Sequence, residues 1–183
     1  MSKKFNFPTR VDSINLPRRL REGLAEAEKL LTDGKPEQAL ETLSELKRKF
    51  PNSADVLGLM SDAYYDIQDI HSYLWTMYQL HRLIPNRLEA NLGLAGAYLV
   101  NGRLGLALRA FRNFLKKWPR YEEAEEIKKT IARLETALSE ILAKLDFTLD
   151  SGLDFACKHE ELQVLMEHQA TQRCKQLAET LLK

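Results

Sequence analysis

The chain has 183 residues, of which 44% are hydrophobic and 29% charged, the balance of an ordinary globular protein able to bury roughly two thirds of its unfolded surface. A net charge of +1 carries no partner signal by itself, and no window approaches 18 consecutive apolar residues, so no membrane-spanning helix is expected. Cys157 and Cys174 stand apart, with no CxxC and no histidine cluster, and read as reduced thiols rather than a metal site or a bridge.

In chain order, residues 1–19 form a basic arm. Lys3, Lys4, Arg10, Arg18 and Arg19 outnumber Asp12, and no sustained periodicity appears before Pro17. The start is basic but lacks the apolar run of a signal peptide, so the cytoplasm is the expected compartment. Pro17 suits a first helical turn, where a missing N–H costs nothing.

Pro51, Pro85 and Pro119 then recur every 34 residues, an interval typical of helical repeat arrays. Each closes a stretch of two amphipathic helices. In the first, Gly23, Ala27 and Leu30 precede a break at Asp33-Gly34, and Ala39, Leu43 and Leu46 follow it. In the second, Leu57, Met60, Ser61 and Tyr64 precede Gln68-Asp69, and Tyr73, Met77 and Leu80 follow. In the third, Leu94, Ala95 and Tyr98 precede Asn101-Gly102, and Ala107, Phe111 and Phe114 follow. Spacings of three and four put these residues on one face of each helix, and Ala27, Ser61 and Ala95 allow close approach of paired helices.

Over residues 20–121 the chain resembles the tetratricopeptide repeat (TPR) family, with repeats at 20–53, 54–87 and 88–121. The third copy carries the fullest set, Ala95, Tyr98, Gly102, Ala107, Phe111 and Pro119; the second carries Ser61, Tyr64 and Pro85. Tyr73 departs where alanine is usual, and its bulk should push the second helix outward or force repacking. Leu46, Leu80 and Phe114 depart where small residues are usual. The resemblance implies an all-α superhelix, an α-solenoid, acting as a non-enzymatic scaffold or adaptor without cofactor.

Residues 122–146 read as a long capping helix with acids at its start, Glu122, Glu123, Glu125 and Glu126, and a stripe of Ile127, Ile131, Leu134, Leu138, Ile141, Leu142 and Leu145. Asp146–Gly152 interrupts the pattern. For residues 153–183 two readings stay open: one helix folding back, or a degraded fourth repeat with its turn at His168-Gln169. The helix pair is preferred, and it would allow the chain to be part of a longer array.

The resemblance places the first helix of each pair along a concave groove. The groove residues are then Arg21, Leu24, Glu28, Leu31, Asp55, Asp62, Tyr65, Asp66, Glu89, Leu92 and Leu99. Asp55, Asp62 and Asp66 share a helical stripe, and residues 54–69 hold four acids and no base. This suggests an acidic wall for a basic segment of a partner protein, with Tyr65 as an anchor and the three carboxylates solvated until the partner arrives. The family's carboxylate clamp is absent, because Leu24, Glu28, Leu59, Glu89 and Gly93 replace its basic and amide residues. Trp75 and Tyr78 fall at outward positions and mark an interface; self-assembly as a homodimer, through them or through the C-terminal helices, is the alternative function. A secretion-type TPR chaperone is a further alternative on size and architecture. Residues 103–121 hold Arg103, Arg109, Arg112, Lys116, Lys117 and Arg120 and no acid, but they read as a solvated convex face, and nucleic acid is not the expected partner. No catalytic constellation stands out.

Overall fold

The structure is a computed structural model that describes residues 17–181, with side chains through 169 and at 171. The basic arm up to residue 16, and the side chains of Cys174 and Ala178, lie outside that range.

The described residues form helices and no strand. The helices are α1 (Arg18–Thr32), α2 (Pro36–Lys49), α3 (Ala54–Asp66), α4 (Ile70–Leu83), α5 (Leu88–Val100), α6 (Leu104–Lys117), α7 (Ala124–Ala143) and α8 (Leu149–Leu181). Two compact units divide the chain after Ala97, near the end of α5.

Helix ends share one geometry, in step with the sequence period through the first three. After α1, α3, α5 and α7, a residue with positive φ sits at Gly34, Gln68, Gly102 and Asp146. At each, the next residue's N–H donates five residues back, from Lys35 to Leu30, Asp69 to Tyr64, Arg103 to Tyr98 and Phe147 to Leu142. That bond satisfies a carbonyl the helix leaves open, and glycine meets the left-handed backbone without strain. In the second copy Gln68 carries the conformation at φ 58°, and Asp69 then accepts from the Ser72 N–H at 3.0 Å to start α4. The second helix of each repeat ends before its proline: Phe50, Ile84 and Trp118 cap α2, α4 and α6.

In the first unit, α1 pairs with α2 and α3 with α4, and α3 packs on both α1 and α2. Leu20, Leu24, Ala27, Ala39, Leu43, Leu46, Val56, Leu59 and Met60 form one buried cluster. Gly23 accommodates the oversized Leu46: a Cβ there would stand 2.9 Å from both Leu46 methyls. The bulk of Tyr73 is likewise taken into the interior. Its ring is buried, edge-on to Tyr65 at 5.4 Å between centroids.

In the second unit, α6 packs against both α7 and α8. Phe114 is buried and gathers Trp118 and Tyr121 at 5.0 and 5.2 Å. Along α7, Ala124, Ile127, Leu134, Leu138 and Leu142 are buried. Ile141 and Leu145, expected in that stripe, are instead exposed; Leu145 lies beyond the end of α7, in the turn that leads to α8. Thr148 and Ser151 exchange hydrogen bonds that start α8: the Ser151 N–H donates to the Thr148 hydroxyl and the Thr148 N–H to the Ser151 hydroxyl.

α8 runs without a break through His168 and Gln169, so the preferred helix pair with a turn there is not formed. The physical reason lies in the local sequence. No glycine or proline follows Gly152, and Ala170 offers no cap comparable to Asp69 in the second repeat.

Candidate interaction faces

The groove residues predicted from sequence fall into three groups. Arg21 and Glu28 on α1 are exposed; Leu31, Asp62, Tyr65, Asp66, Glu89 and Leu99 are half-buried; Leu24, Asp55 and Leu92 are buried. Leu24 is a member of the core cluster, and Leu31 packs against it. Leu99 belongs to the second unit.

Asp55 corrects the expectation of three solvated carboxylates, being only 8% exposed. α3 is apolar on nearly all sides, with Val56, Leu57, Gly58, Leu59, Met60, Ser61 and Ala63 buried as well, as expected of a helix enclosed by others. Asp55 lies in its first turn, where the helix dipole favours a carboxylate. Asp62 and Asp66 remain half-buried toward the other end of α3.

Tyr65 is not a lone anchor, since its ring meets Tyr73. Asp62 acts on the same pair: the Tyr73 phenol is held far above its ordinary range by burial first, then by Asp62 and Tyr65. Asp62, Tyr65 and Tyr73 therefore form one electrostatically linked group. On α2, the half-buried Lys47 donates to the Gln79 Oε1 at 3.0 Å, and burial lowers its pKa. Trp75 and Tyr78 are stacked at 5.4 Å, with planes 22° apart and both rings half-buried.

The basic run of α6 is largely met within the chain. Arg112 bonds Glu135 of α7, with Nη2 to Oε1 at 2.7 Å and Nε to the same oxygen at 3.2 Å. Arg109 faces Glu161 of α8 at 3.8 Å, and Lys117 lies 4.7 Å from the Trp118 ring centroid. Arg103 donates to the Gln163 Oε1 at 2.6 Å and pairs with Glu167, while its Nε is buried without a hydrogen-bond partner.

Sequence reasoning missed Glu160. Its carboxylate accepts from the Gly105 N–H at 3.0 Å and the Leu106 N–H at 2.8 Å. No side chain within α6 caps that helix, so an acid 55 residues away in sequence takes the place of an N-cap. Gly105 permits the approach, since a Cβ there would lie 3.3 Å from both the Ala156 Cβ and the Glu160 Oε2. Cys157 is fully buried beside this contact, and burial pushes its thiol pKa up. The signal available in the sequence was an acidic residue on the inward stripe of α8, in register with Leu153, Ala156 and Val164.

No protein-family model matches this chain, and no curated protein matches it. Solved structures do. The MamA RS-1 ArsTM double mutant is similar with a TM-score of 0.61 and 18% identity, covering 86% of this chain and 98% of its own. Two structures of nearly identical TPR-like repeats from Podosopora anserina kinesin light chain are similar with TM-scores of 0.53 and 0.52, at 17% and 18% identity. Each covers 91% of this chain, and 95% and 94% respectively of its own. Among the described residues no helix is long and apolar enough to cross a membrane. By fold, the chain is an all-α, TPR-like helical-repeat protein.

Proposed function

We propose that the chain is a protein-interaction scaffold whose first unit holds a basic segment of a partner protein along the α1–α3 face. The observation that carries this reading is the half-exposed stripe of Asp62, Tyr65 and Asp66 on α3, a helix that packs directly against α1. Glu28 on α1 adds an exposed acid, and residues 54–69 hold four acids and no base. Partly exposed aromatic and acidic side chains on a fixed backbone suit recognition of Lys or Arg: the rings supply contact area, and the charges supply association rate and selectivity. Asp55 stays outside the contact set because it is buried. The scaffold acts by holding its partner, without chemistry of its own.

The test uses fluorescence anisotropy with labelled peptides of matched length, one set rich in Lys and Arg and one neutral. The basic set should bind more tightly, and its affinity should fall as salt shortens the Debye length from about 10 Å at 0.1 M to about 3 Å at 1 M. Equal affinity for both sets, unchanged by salt, overturns the reading.

A further inference from the structure

α8 has two unlike faces. The face toward α6 is tied by polar contacts, with Glu160, Gln163 and Glu167 engaged by two α6 amides and Arg103. The opposite face carries Phe155, Leu162, Leu165 and Met166, all exposed, and Ile141, Leu145 and Phe147 at the α7–α8 corner are exposed as well. Phe147 stacks on Phe155 at 6.0 Å, and Phe155 on His159 at 6.3 Å. Phe147, Phe155 and His159 thus form one stacked row.

We propose that this outer face of α8, with the α7–α8 corner, is the surface through which two copies of the chain associate. Three observations select a second copy as occupant. The first is area. Seven large apolar residues at 39–61% exposure leave roughly 600 Å² of surface, taking about 180 Å² for each when fully open. That summed area approaches the roughly 800 Å² that each partner buries in a standard interface.

The second observation is spacing. Phe155, His159, Leu162 and Met166 follow one another at intervals of four, three and four, the seam by which one helix packs against another like itself. A two-fold axis between Glu160 and Glu161 sets Phe155 against Met166 of the second copy, a favourable sulfur–aromatic contact, and His159 against Leu162. The third is charge. Glu160, Glu161 and Glu167 turn toward α6 and its arginines, and on the outer side Asp154 and Lys158 pair with each other at 2.7 Å. Two like surfaces therefore meet without the repulsion that a net-charged stripe would bring.

This surface uses none of the α1–α3 residues, so it stands or falls apart from the scaffold reading. The test is sedimentation equilibrium of the whole chain over a concentration series. The expected result is a monomer–dimer equilibrium that Leu162→Glu with Met166→Glu weakens by at least about tenfold, at unchanged helical circular dichroism. Both positions are more than half exposed, so the fold should tolerate the change. Should that variant lose helix, Phe155→Ser decides by the same measurement, with the same weakening expected. Asp62→Asn with Asp66→Asn should leave the dimer intact. A wild-type chain that stays monomeric at every concentration overturns the proposal, and so does a dimer that α8 variants with intact helix leave as tight as before.

Discussion

Replacing Glu160 by alanine should destabilise the second unit by about 2 kcal/mol. The carboxylate receives two amide bonds, 3.0 Å from Gly105 and 2.8 Å from Leu106. Hydrogen bonds to a charged group contribute about 1.5–3 kcal/mol each when buried, and loss of an ordinary N-cap costs about 0.5–2 kcal/mol. Glu160 is half-buried, so water can reach part of the vacated site, and the estimate belongs below the sum of two full bonds. Glu160→Gln keeps one acceptor oxygen and should lose about half as much. Urea unfolding followed by circular dichroism measures the loss, and amide hydrogen exchange locates it: Gly105 and Leu106 should exchange faster while amides of α1 and α2 keep their protection. A loss under about 0.5 kcal/mol, the range of an ordinary surface substitution, would refute the reasoning.

Tyr73 should set an alkaline limit on stability. Its folded pKa lies above the ordinary 10.0, so its contribution is full below pH 10 and is lost as pH rises toward the folded value, by up to about 1.4 kcal/mol per pH unit; Tyr73→Phe should flatten that decline in urea midpoints, leaving a shallower share from Tyr64, which burial and then Asp69 shift the same way. At the repeated positive-φ turn, Gly102→Ala should cost about 1 kcal/mol or more, whereas Gln68→Gly should be neutral or stabilising by up to about 1 kcal/mol, since it relieves strain at the cost of unfolded-state entropy; paired thermal melts check the opposite signs. Arg112→Ala should change stability by under about 1 kcal/mol, because both members of its pair with Glu135 are more than a third exposed, and a larger loss in urea would mean that α7 depends on that contact.

Much of the fold was legible because its cause is local. The helix breaks follow from glycines and prolines at one interval, and even Gln68 could be placed by register, since Gly34 and Gly102 stand 34 residues to either side. Pairing faces followed from spacings of three and four. What escaped depends on contacts far apart in sequence. Glu160 reads as a solvated acid until α8 lies across the start of α6. The acid-free run of α6 reads as a solvated convex face until Glu135, Glu161 and Glu167 are brought to it. Asp55 could have been read better: the stretch Val56–Met60 is apolar on every side of a helix, which implies enclosure, and enclosure reaches the residue that begins it. The uninterrupted α8 was likewise visible in the absence of any breaker beyond Gly152.

A random-peptide display selection on the immobilised chain, repeated on the Asp62→Asn, Asp66→Asn variant, tests the scaffold account most directly. Both side chains are half-buried near the end of α3, and asparagine keeps their shape while removing the charge. The account predicts that wild-type selections enrich peptides carrying Lys or Arg, and that these peptides bind the double variant more weakly at low salt while its circular dichroism is unchanged. Selected peptides with no basic residues, or basic ones that bind both proteins equally well at low salt, would contradict it.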